Sequence, residues 1–252
     1  IGHLNSGVSI ETAPIYAGKS IPQIAISTNP KYTQLNLPTT FRLVANDTLQ
    51  AKAIGSFSGS KFQATKYAVI DDSTPYGKDL AAGAIKELTA AKKEITLKQS
   101  FDDKTRAFDD LAVKLKEAGI EVVVTTLSDF QNLALLEALK KINYTKLFML
   151  GGDTIKTTDM LKGAGIVNGL YATSPILDAK EYPTGKAFLE KYLAAYKVAP
   201  AYGGHYTYDA MHVLAAAIRR TESAKPADIV AALRKIDGYA PVTGSMRWDD
   251  KG

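Results

Sequence analysis

The chain contains no cysteine. Disulfides, thiolate metal centres and cysteine nucleophiles are therefore excluded, while the redox compartment is left open. Histidine is scarce: His3, His205 and His212 are the only three, and their spacing matches no metal motif. No apolar run approaches the roughly 20 residues a membrane helix needs, so no direct membrane insertion is expected. No Gly-x-Ser-x-Gly elbow occurs. Gly55-Ser-Phe-Ser-Gly59-Ser-Lys61 resembles a phosphate loop in composition, but its spacing is wrong and it lies inside a helical pattern. With no catalytic signature, the expectation is a protein that is not an enzyme and takes no cofactor or metal. Strong charge of one sign is also lacking: 31 Lys and Arg face 26 Asp and Glu, a net charge of +5. The lysines alternate with acids along 77–94 and 107–118, as on solvated helix faces, so no nucleic-acid groove is expected.

What is present is regular alternation. Short β-branched runs at 21–26, 41–45, 66–71, 95–101, 121–127, 146–151 and 169–174 read as strands. Stretches of helical period at 9–19, 47–60, 77–94, 107–118, 129–142 and 155–163 lie between them. Then 183–197, 206–222 and 225–237 read as consecutive helices, with a last short strand near 242–248. Tyr67-Ala-Val-Ile-Asp71 and Val122-Val-Val-Thr125 are continuously apolar. Such strands are covered on both faces, which means a mostly parallel sheet flanked by helices. In 252 residues, 46% of them hydrophobic, there is room for one large or two ordinary domains. Breaks in the pattern at Arg42-Leu-Val-Ala-Asn-Asp47 and Ala172-Thr-Ser-Pro175 suggest two crossings between two α/β lobes.

Ligands of open parallel sheets bind beyond the carboxyl ends of the strands. At those ends lie Asn5-Ser6-Gly7, then Ser27 and Thr28, Asp72 to Tyr76, Ser128-Asp129-Phe130 and Gly152-Asp153-Thr154. Hydroxyls and helix N-termini at Ser6, Ser27 and Thr28 suit a carboxylate. Asp153 suits an ammonium, and Tyr76 and Phe130 offer an apolar wall. Together they describe a site for a free amino acid. Each residue also has an ordinary alternative: hydroxyl residues form turns and caps, Asp153 can cap a helix at 155–163, and Tyr76 can pack between lobes.

Gly2-His-Leu-Asn-Ser6, Pro22 to Thr33, Asp72-Ser-Thr-Pro-Tyr76-Gly77, Phe148-Met-Leu-Gly-Gly-Asp153, Tyr206-Thr-Tyr-Asp-Ala210 and Val242 to Gly252 resemble, in order and over the whole length, the periplasmic branched-chain amino acid binding proteins of ABC transporters. The resemblance implies a two-lobed type I periplasmic binding protein fold, with lobe one at 1–45 and 175–245 and lobe two at 46–174. Residues 246–252 would begin a return crossover. It implies that Ser6 meets the ligand carboxylate, Ser27 and Thr28 hold carboxylate and amine, Tyr76 closes over the ligand, and Asp153 takes the ammonium. Where many relatives carry an aromatic residue, this chain has Ser128, with Phe130 close by to compensate.

The resemblance further implies a monomeric periplasmic protein that delivers an amino acid, branched-chain aliphatic foremost, to an inner-membrane ABC permease. The chain starts without Met in a strand-like segment and stops in a turn, so a fold truncated at both ends and a signal peptide outside this chain are expected. The alternative is the same fold binding aromatic acids or amides, or serving as a ligand-sensing receptor domain. A flavodoxin-like or Rossmann enzyme ranks lower, because Asn5-Ser6-Gly7 stands where a three-glycine phosphate loop is needed.

Overall fold

The computed structural model describes residues 1–238 and 240–252. In chain order its elements are α1 (Ser6–Ala17), β1 (Gln23–Ala25), α2 (Lys31–Gln34), β2 (Thr40–Arg42), α3 (Asp47–Lys61), β3 (Lys66–Asp71), α4 (Pro75–Ala90) and β4 (Glu94–Ser100). There follow α5 (Asp109–Glu117), β5 (Val122–Thr125), α6 (Asp129–Lys141), β6 (Phe148–Gly151), β7 (Gly169–Ala172), α7 (Gly185–Tyr196), α8 (Gly204–Thr221) and α9 (Pro226–Arg234). The chain divides into two compact units, Asp47–Pro175 and Ile1–Asn46 with Ile176–Gly252. Tyr239, inside the stretch expected for lobe one, lies outside the described residues.

The Asp47–Pro175 unit is a parallel sheet in the order β4-β3-β5-β6-β7. Strand alternation sorts its side chains into two cores. Tyr67, Val69, Val122, Val124 and Leu150 pack with Ile54, Leu80, Ala84 and Leu88 of α3 and α4. Ala68, Ile70, Val123 and Met149 pack on the other side with Leu111, Leu115, Leu135 and Leu139 of α5 and α6. Both faces being covered explains the unbroken apolar runs of β3, β5 and β6. Strand β4 differs: it alternates exposed and half-buried residues, as an edge strand does. The apparent phosphate loop is a packing device, since a side chain at Gly55 would press on Glu87 of α4.

In the other unit β1 and β2 pair in parallel. Ile24 and Phe41 sit in a core with Ala210, Val213, Leu233 and Trp248. The Arg234 guanidinium of α9 lies 4.6 Å from the Phe41 ring and donates to the carbonyls of Leu37, Pro38 and Thr40. Two expected elements are corrected. Residues 155–163 form no α-helix but short 3-10 turns at Asp153–Ile155 and Asp159–Gly163. The Thr157 hydroxyl caps the backbone N–H of Met160, and hydroxyl residues that bond locally in this way compete with an α-helical ladder. Residues 242–248 form no strand; isolated bridges join Asp237 to Arg247 and Ala240 to Gly244. The reason lies in Asp209, a fully buried carboxylate that takes the N–H groups of Val242 and Thr243 and the Thr243 hydroxyl. Those donors are thereby withheld from a strand neighbour. Helix α2, at the end of the Pro22–Thr33 stretch, is an addition to the expected elements.

Candidate functional site

Ser27, Thr28, Tyr76, Ser128, Phe130 and Asp153 lie in the loops or first helical turns that follow β1, β3, β5 and β6, whereas residues 1–5 form no strand, so Ser6 opens α1 without the strand expected before it. In the Ile1–Asn46 portion, α1 begins at Ser6 behind Asn5. Ser6 Oγ accepts the Asn29 N–H at 3.2 Å, and Ser27 Oγ donates to the His3 carbonyl at 2.8 Å. Ser9 Oγ and Ser27 Oγ are also hydrogen-bonded. Ser6, Ser27 and Thr28 are all buried. These hydroxyls bind the loop after β1 to the segment entering α1, beside the unsatisfied N–H groups that open a helix.

In the Asp47–Pro175 unit, Tyr76 and Asp153 come together although they are 77 residues apart. Tyr76 is placed by the start of α4, where Thr74 Oγ1 accepts the Gly77 N–H at 3.0 Å and Pro75 occupies the first helical position. The Asp72 carboxylate in turn takes the N–H and hydroxyl of Thr74, and burial pushes its pKa up. From this base the Tyr76 hydroxyl donates to Asp153 Oδ1 at 2.9 Å. Burial, with the Asp153 and Asp47 carboxylates nearby, raises the Tyr76 pKa well above its ordinary value, so Tyr76 stays a neutral donor.

Asp153 follows β6 and is 8% exposed. With no α-helix at 155–163, capping one is not its role. Its Oδ1 also accepts from Gln50 Nε2 at 2.7 Å. Gln50 Nε2 donates as well to Asp47 Oδ1 at 2.8 Å, and Gln50 Oε1 accepts from the Thr173 hydroxyl at 2.7 Å. Gln50, Asp47 and Thr173 escaped the sequence reading. Asp47 and Gln50, three apart at the start of a helix that follows a strand, were the available signal.

Ser128 is the N-cap of α6, and its N–H and hydroxyl both donate to Gln131 Oε1. Phe130 sits in the first turn of α6, 38% exposed, with the Arg106 guanidinium 3.8 Å from its ring centroid. The Thr154 hydroxyl donates to the Leu127 carbonyl, tying the Asp153 turn to the loop that leads to Ser128. Among the described residues no group of three or more His, Asp or Glu could hold a metal ion, and no helix is long and apolar enough to cross a membrane.

Parallel sheets flanked by helices, with hydroxyls and buried acids at the strand ends, define the architecture of the type I periplasmic binding proteins. A leucine-binding protein of Thermotoga maritima MSB8 superposes with a TM-score of 0.87 at 24% identity, over 100% of this chain and 72% of that one. A branched-chain amino acid transporter substrate-binding protein of Streptococcus pneumoniae, solved with isoleucine, superposes at 0.85 with 22% identity over 99% of this chain and 71% of that one. In sequence, the Leu/Ile/Val-binding protein homolog 1 of Brucella suis biovar 1 (strain 1330) is 30% identical over 255 residues, covering 100% of this chain and 68% of its own length. A leucine-, isoleucine-, valine-, threonine- and alanine-binding protein of Pseudomonas aeruginosa is 25% identical over 254 residues, 100% of this chain and 67% of its own. The chain belongs to the periplasmic binding protein family, which it matches over residues 1–252.

Proposed function

We propose that this chain is an extracytoplasmic, periplasmic solute-binding protein that captures a free amino acid, branched-chain aliphatic foremost, in a cleft between two lobes. It then hands that ligand, as a monomer, to an inner-membrane ABC permease. Ser6, Ser27 and Thr28 receive the ligand carboxylate beside the α1 N-terminus. Asp153 takes the ammonium, with Tyr76 closing over it. Ser128 and Phe130 border the side-chain pocket. Hinge closure excludes water and creates the surface the permease recognises.

The observation that carries this proposal is Asp153. It is a buried carboxylate at a strand end, bonded to two neutral donors, Tyr76 and Gln50. A buried carboxylate at a strand end suits a cationic ligand group, whose charge offsets the cost of its burial. The names of the Brucella and Pseudomonas relatives, Leu/Ile/Val-binding and leucine-, isoleucine-, valine-, threonine- and alanine-binding, agree with an amino acid ligand.

Calorimetric titration with leucine tests the assignment. Asp153→Ala is expected to cost about 3–5 kcal/mol, the penalty for an ammonium left buried and unpaired, or more than about a hundredfold in Kd. An unchanged Kd removes Asp153 from the site. Wild-type protein that binds 4-methylpentanoate as tightly as leucine would favour an amine-free acid instead.

A further inference from the structure

We propose that Gln50 is the positioning residue of the ammonium site. Its carboxamide holds the Asp153 carboxylate in the one orientation that receives an amino group, so it is a determinant of amino acid binding although it does not touch the ligand. This deepens, and rests on, the amino acid function proposed above.

The geometry is that of a fully used amide. One side-chain nitrogen donates to two carboxylates, Asp47 Oδ1 at 2.8 Å and Asp153 Oδ1 at 2.7 Å. The amide oxygen accepts the Thr173 hydroxyl at 2.7 Å. Rotating the amide by half a turn would set its oxygen against both carboxylate oxygens, so its orientation is determined. Gln50 and Asp47 are each 3% exposed. The three bonds join the first turn of α3, the turn after β6 and the residue following β7 within one unit.

Gln50 and Tyr76 converge on the same oxygen of Asp153. Two donors from different helices locate that oxygen more tightly than either does alone. The same amide holds a second buried carboxylate, Asp47, close by.

A double-mutant cycle on the full chain separates positioning from general support, with leucine as the probe and calorimetric Kd as the readout. The variants are Gln50→Leu, Asp153→Asn and the pair. If Gln50 acts through Asp153, Gln50→Leu alone weakens leucine binding by about tenfold or more, as loss of a charge-assisted hydrogen bond would. In the Asp153→Asn background it then adds less than about threefold, because the effects of coupled residues are not additive. The same loss in both backgrounds, or no loss in the first, overturns the proposal. Should Gln50→Leu fail to fold, Thr173→Val, which releases the amide from its other side, enters the same cycle with the same two criteria. Wild-type protein that does not bind leucine overturns the amino acid function and this inference with it. Wild type that binds while Gln50→Leu binds equally overturns this inference alone.

Discussion

A methyl group on residue 152 would collide with the Tyr76 hydroxyl and come within 2.8 Å of Leu80 Cδ2. The backbone there is extended, at φ −73° and ψ −167°, so alanine meets no conformational penalty and its cost is steric alone. The Tyr76 hydroxyl is the group that must move, and moving it breaks the bond to Asp153. Gly152→Ala is therefore expected to lose about 1–3 kcal/mol of stability from overpacking and to weaken leucine binding by about tenfold, one donor to the carboxylate being lost. Thermal unfolding and calorimetry on the same preparation check both. This scale also divides what the sequence discloses from what it conceals. Tyr76 and Asp153 stood out because each follows an apolar run that ends at the same edge of a parallel sheet. Gln50 did not, because it lies inside a helix and matters only through partners 103 and 123 residues away. Ser128 remained ambiguous between pocket and cap, and its bonds to Gln131 display the cap.

Elements are held in place by fewer residues than form them. Glu121, just before β5, accepts the Thr65 and Lys66 N–H groups at 2.8 and 3.0 Å and the Thr65 hydroxyl at 3.1 Å. One carboxylate thus joins the entry of β3 to the entry of β5. The backbone N–H donors of Lys66 and Thr65 hold its pKa below the ordinary 4.5. A depressed carboxyl favours folding above its unfolded pKa, and that contribution fades as the pH falls through the lower folded value. Glu121→Gln should therefore lower the melting temperature at neutral pH, with the gap to wild type closing as the pH is taken below 4.5. Calorimetric scans across that range decide it; a gap that does not vary with pH assigns Glu121 a purely geometric role. Element positions were largely readable from sequence because burial on both faces imposes unbroken apolar runs, as in β3. The failures have local causes. Hydroxyl bonding replaced a helix after Asp153, and the Asp209 carboxylate captured the donors a strand at 242–248 would have used.

At the scale of the molecule the two units differ in construction. Asp47–Pro175 is one continuous segment with a five-stranded sheet cored on both faces, while the other unit joins two distant segments around two paired strands. Local opening free energy follows buried apolar contact, so the amides of β3, β5 and β6 should exchange slowest, about tenfold or more behind those of β1 and β2. The proposed capture of a ligand by two lobes makes a sharper demand on the same experiment. A ligand that engages both must tie their stabilities together, since neither side can then open without surrendering contacts to the same molecule. At about one hundred times Kd, leucine should add about 2.7 kcal/mol to the folded state. Hydrogen exchange should then slow together in the loops at 5–9 and 26–30 and in those at 74–78 and 150–155. Slowing confined to one unit would mean that leucine occupies a half-site, and capture by closure would have to be abandoned even if the measured affinity were high.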